Sequence, residues 1–82
     1  MNRNEYYQVT TQWFDSLTIN GVNFKDEDKA RKYYEDEKQS IEVNQGSYKV
    51  LVEIALYKVK TLIEGEKQFE QKNTINKETI QG

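Results

Sequence analysis

Tyr48-Lys49-Val50-Leu51-Val52-Glu53-Ile54-Ala55-Leu56-Tyr57-Lys58-Val59-Lys60-Thr61-Leu62-Ile63 is the most apolar stretch of the chain, and whether it is helix or strand decides the fold. As a helix, Tyr48, Leu51, Val52, Ala55, Leu56, Val59, Leu62 and Ile63 follow one face, and Val50, Ile54 and Tyr57 line the other at i, i+4, i+7. As a strand, the period of two fails: Leu51, Ala55, Tyr57 and Val59 put apolar groups on the off-face, and Lys58 and Lys60 interrupt the on-face. The helical pattern accounts for more positions and predicts a helix from Tyr48 to at least Ile63; Phe69 returns to the Leu51/Leu62 side, which extends the helix toward Glu70 despite Gly65. The rival reading pairs Ile41–Val43 with Tyr48–Val52 as a small hairpin across Asn44-Gln45-Gly46, because Val, Ile and Tyr favour sheets.

Upstream, Tyr6, Val9, Thr10, Trp13, Phe14 and Leu17 share one side at helical spacing, predicting a first helix over residues 4–17. Ile19-Asn20-Gly21-Val22 reads as a turn, since Asn-Gly accepts positive φ. Asp26 suits an N-cap, and Glu27 and Asp28 place negative charge in the first turn of a second helix over 27–41. Glu27/Arg31 and Asp28/Lys32 have the stabilising i,i+4 order, while Ala30, Tyr33, Tyr34 and Ile41 share a side. Residues 71–82 are polar and aperiodic, with isolated Ile75 and Ile80, and read as a disordered tail. The resulting expectation is a small all-α protein: a three-helix domain over 1–70 with a long central third helix, and a flexible polar tail over 71–82. The alternative is an α+β domain with a small hairpin at 41–52. The expected centre of the core is Trp13, Leu17, Tyr34, Leu51, Ala55, Val59 and Leu62, with Tyr7 or Tyr57 outside.

Composition narrows the function. An 82-residue chain makes one domain of modest core, and only 35% of its residues are hydrophobic. Twelve Lys and Arg against 14 Asp and Glu leave a net charge of -2, which implies neither a polyanion nor a polycation as partner. With no Cys there is no disulfide framework or thiolate metal site, and a small secreted domain ordinarily needs such staples. The N-terminus has no apolar core of a signal peptide, and no run is long enough to span a bilayer as a helix. These features predict a cytoplasmic protein. Ten Lys to two Arg, with many Asn, Ile, Glu and Tyr, suggest an AT-rich bacterial genome, where short polar chains are often phage or mobile-element accessory proteins.

Catalysis is poorly provided for. Without His or Cys, the usual base near neutral pH and the strongest nucleophile are missing, and Ser16, Ser40 and Ser47 sit in no catalytic arrangement. The acids Asp26-Glu27-Asp28 and Glu35-Asp36-Glu37 lack the alternate spacing and central Gly of a calcium loop. No catalytic residue, metal ligand, cofactor or small-molecule substrate is therefore expected. Six Tyr with Lys49, Lys58 and Lys60 form no basic stripe, so nucleic acid is not the expected partner.

What remains is protein binding. The surplus apolar row Val50, Ile54 and Tyr57 on the third helix is the expected partner-binding site, for self-association as a homodimer or for capture of a partner protein. An acidic surface of Asp28, Glu35, Asp36 and Glu37 would set orientation. The expected role is a small non-enzymatic inhibitor or adaptor. Two alternatives are an acidic nucleic-acid mimic that blocks a DNA- or RNA-binding protein, and a dimeric nucleic-acid-binding regulator.

Overall fold

The structure, a computed structural model, describes residues 5–14, 18–48 and 51–80. Its elements in chain order are β1 (Glu5–Trp13), β2 (Thr18–Phe24), α1 (Glu27–Tyr48), β3 (Val52–Glu64) and β4 (Lys67–Ile80). The strands form one antiparallel sheet in the order β2-β1-β3-β4, and α1 lies on one face of it. Since every neighbour is antiparallel, β2 and β3 run the same way with β1 between them, and α1 is the crossover that joins them.

The all-α expectation is overturned, and with it the description of the chain as a small helical protein. Tyr6, Tyr7, Val9, Thr10, Thr11 and Trp13 form β1 rather than a first helix: aromatic and β-branched side chains fit a pleated surface, and pairing on both sides supplies the hydrogen bonds. Asn20-Gly21 lies within β2, opposite Thr11 and Thr10, not in a turn. The expected third helix is β3. The residues taken for a disordered tail supply most of β4, whose described part ends at Ile80. The alternative hairpin at 41–52 is absent too, because residues 41–48 continue α1 and Val52 begins β3.

The second helix is the element that agrees with expectation, extended at its C-terminal end to Tyr48. The Asp28 N–H donates to Asp26 Oδ1 at 2.8 Å, satisfying one of the free donors of the first turn. Arg31 Nε donates to Glu27 Oε2 at 2.8 Å, one turn apart. The helix passes through Gly46, which costs about 1 kcal/mol relative to Ala in a helix interior.

Ala30, Tyr34 and Ile41 form the buried stripe of α1, against Val9 of β1 and Val52, Ile54 and Leu56 of β3. Tyr7, Trp13, Phe24, Tyr33, Ile75 and Ile80 border this cluster, and the Phe24 and Tyr33 rings stand 5.2 Å apart, tilted by 47°. Ala55 and Val59 are also buried, but they alternate with Ile54 and Leu56 and so belong to the face opposite the helix. Of the expected core, Tyr34 is central, Trp13 is half-buried at its border, and Leu51 and Leu62 are exposed; Leu17 lies outside the described residues. Tyr7 and Tyr57 are both half-buried. Among the described residues, no helix is long and apolar enough to cross a membrane.

Candidate protein-interaction surface

The hairpin of β3 and β4 outruns the rest of the sheet. β1 meets β3 from Trp13 opposite Val52 to Glu5 opposite Lys60, whereas β3 and β4 stay paired on to Glu64 opposite Lys67. Residues 61–70 therefore form an arm that projects past the described end of β1, within a body 50 Å long and 25 Å wide. Gly65, at φ 62°, closes the arm, and the space around it is open, so the choice of Gly answers to backbone geometry alone.

Two contacts mark the base of the arm. On the helix face Lys58 Nζ lies 3.6 Å from Glu5 Oε2. On the opposite face the Tyr6 hydroxyl donates to Glu70 Oε2 at 2.6 Å, and that bond to a carboxylate, before burial, pushes the phenol above its ordinary value. Beyond this base the arm carries apolar groups on both sides. Leu62 faces Phe69 across the pair, 46% and 45% exposed, and Ile63 on the other side is 70% exposed. Side chains this size ordinarily bury their surface, each for roughly 1.5–3 kcal/mol.

Toward its other end β4 is held firmly. The Tyr34 hydroxyl donates to Glu78 Oε2 at 2.8 Å and Lys38 Nζ to Glu78 Oε1 at 3.1 Å, so both carboxylate oxygens tie this edge strand to α1. Burial, then the carboxylate, pushes the Tyr34 phenol well above its usual range. The Tyr34 bond, then Lys38, holds Glu78 below the ordinary carboxylate value. On the uncovered face Lys77 lies 3.5 Å from Glu53, and Lys72 Nζ stands 5.6 Å from the centre of the Tyr57 ring.

The outer edge of β4 pairs with no described strand, which leaves a row of main-chain donors and acceptors along 14 residues. One irregularity interrupts it: Leu56 pairs with Asn76 and Tyr57 with Thr74, so Ile75 is an extra residue in the ladder. At the opposite side of the sheet, a cleft of about 330 Å³ opens between α1 and β1–β2, lined by Trp13, Tyr33, Asn20 and Glu37 among others.

The row of Val50, Ile54 and Tyr57 is not brought together as a surface. Ile54 is fully buried under α1, Tyr57 is half-buried on the other side of the sheet, and Val50 lies outside the described residues. The i, i+4, i+7 row exists only on a helix, and a strand sends its residues 54 and 57 to opposite faces. The four acids do lie on α1. Asp28, Glu35 and Asp36 are exposed, Glu37 lines the cleft, and exposed Lys29, Arg31 and Lys32 stand among them. Among the described residues no cluster of acids could hold a metal ion.

Sequence reasoning assigned Leu62, Ile63 and Phe69 to the core side of a long helix and so missed them as surface. The signal that could have found them is Gly65-Glu66, a two-residue link between Thr61-Leu62-Ile63-Glu64 and Lys67-Gln68-Phe69, the spacing of a tight hairpin. No protein-family model, curated protein or solved structure matches this chain, so its residues and their geometry carry the functional argument.

Proposed function

We propose that this chain is a non-enzymatic protein-binding module whose partner surface is the projecting β3–β4 arm together with the open edge of β4. The observation that carries this reading is the exposure of Leu62, Ile63 and Phe69 on both faces of an arm that no described helix covers. A chain with only 35% hydrophobic residues that leaves three large ones on one projection gains most by burying them against another protein. The free main-chain groups of β4 add a second mode of recognition, strand addition, which draws affinity from the backbone. The lack of His and Cys supports a binding role over a catalytic one. A small inhibitor or adaptor of a phage or mobile element, working in the cytoplasm of its bacterial host, fits this surface and the Lys-rich, Cys-free composition.

The test is affinity capture from bacterial lysate with the full chain and with the double variant Ile63→Asp/Phe69→Asp. Both positions are exposed, so the variant keeps its far-ultraviolet circular dichroism and melting temperature and loses the saturable partner. Capture undiminished in the folded variant overturns the reading.

A further inference from the structure

We infer that the partner of the β4 edge is a second copy of this chain, the two β4 strands pairing antiparallel about a two-fold axis near Asn73 to make one continuous eight-stranded sheet. The inference deepens the protein-binding reading above and rests on it.

Charged side chains along an edge strand ordinarily discourage pairing with another sheet. Here their placement favours full overlap over the slide that brings Phe69 opposite Ile80. Full overlap of Lys67–Ile80 with itself sets Lys67 opposite Ile80, and the same register sets Glu70 of each copy opposite Lys77 of the other. The symmetry makes two such pairs, and no like charges stand opposite each other. Sliding one strand by two residues, so that Phe69 meets Ile80, instead places Lys72 opposite Lys77 twice. The favourable register is thus also the one that satisfies the most main-chain groups.

Faces must agree as well as charges. Glu70 and Lys77 are seven residues apart, an odd number, and in a regular strand they would point to opposite sides of the sheet. The extra residue at Ile75 corrects this. Glu70 lies opposite Thr61 and Lys77 opposite Ala55, and these two positions are six apart on the uninterrupted β3, hence on one face. The irregularity therefore gives β4 the self-complementarity that a two-fold axis normal to the sheet requires. Glu70 already accepts from Tyr6, and Lys77 already neighbours Glu53, so both side chains are held on the uncovered face where the second copy would meet them.

Size-exclusion chromatography with light scattering over a wide dilution series tests this on the full chain. The expected result is a species of twice the monomer mass that dissociates on dilution. Glu70→Lys and Lys77→Glu each raise the dissociation constant about tenfold, because two attractive cross-strand pairs become two repulsive ones. The double variant Glu70→Lys/Lys77→Glu restores it. Amide exchange of folded wild type, compared at high and low concentration, supplies a readout free of substitutions: β4 amides are protected in the dimer and exchange faster on dilution. A monomer at every concentration overturns the inference, as does a dimer that the single changes leave intact or that the double change fails to rescue. A monomer that nevertheless loses partner capture on Ile63→Asp/Phe69→Asp leaves the protein-binding reading standing and removes self-pairing alone.

Discussion

The inner and outer halves of the β3–β4 hairpin are built from the same two strands in one continuous ladder, yet they do opposite things with their apolar side chains. Val52, Ile54 and Leu56 in the inner half are buried beneath α1, and Glu78 beside them is tied to Tyr34 and Lys38. Leu62, Ile63 and Phe69 in the outer half are exposed. Strand propensity does not separate the halves; what covers them does. Among the described residues, β1 and α1 cover the sheet as far as Glu5 and Glu27, and past that line no described element packs on the apolar residues of the arm.

The largest expected effect comes from emptying the covered half. Ile54→Ala removes a fully buried side chain and should cost about 3 kcal/mol in urea unfolding, within the range for large-to-small core changes. A cost below about 1 kcal/mol would mean that α1 does not press on this strand. Next is the tie of β4 to the helix. Tyr34→Phe deletes the donor to a carboxylate and should cost about 1.5 kcal/mol, leaving Glu78 to Lys38 alone.

That tie is also pH-dependent, with a sign fixed by its lowered carboxylate. Because Glu78 titrates lower in the fold than its ordinary 4.5, its contribution is present above that value and is lost as pH falls through the folded value. Thermal melts of Glu78→Gln should therefore match wild type more closely in acid than at neutral pH, and a constant difference at all pH would break the assignment. Tyr34 acts at the other limb: raised above 10, it contributes fully below that pH and loses its contribution as pH climbs beyond.

A smaller loss is expected at the tip of the arm. Gly65→Ala meets no steric neighbour but forces a side chain onto φ 62°, for about 1 kcal/mol. The smallest effect sharpens the contrast most. Ile63→Ala should change the stability of the monomer by less than about 0.5 kcal/mol, against several times that for Ile54→Ala on the same strand. Equal costs at the two positions would erase the distinction between the halves.

The start of α1 was legible because capping and i,i+4 charge order are local rules, and Asp26, Glu27 and Arg31 obey them in the structure. The strands were not, for two separate physical reasons. β3 is sandwiched between β1 and β4 and buries Ala55 and Val59 on the side away from the helix, so its middle lacks the polar alternation of a half-buried strand and imitates a two-faced helix. β4 is an edge strand exposed along most of its length, so its hydrogen bonds to β3 and the Glu78 tie to α1, rather than any apolar period, hold it; of its apolar side chains, Ile75 and Ile80 pack against the core. The candidate surface was hidden for a related reason, since Leu62, Ile63 and Phe69 look like core residues until their place in an outlying hairpin is known.

The order of the sheet also divides the chain by the time at which its parts can meet. β1 with β2, and β3 with β4, are neighbours in sequence and close as hairpins through short connections, whereas the central seam joins Glu5 to Lys60 across 55 positions. Loop closure makes that seam the slow event, and the helix between the two hairpins is the segment that shortens the search. That separation predicts that Val9 and Leu56, opposite each other on the central seam, are positions where truncation to Ala lowers the refolding rate in stopped-flow measurements rather than merely raising the unfolding rate.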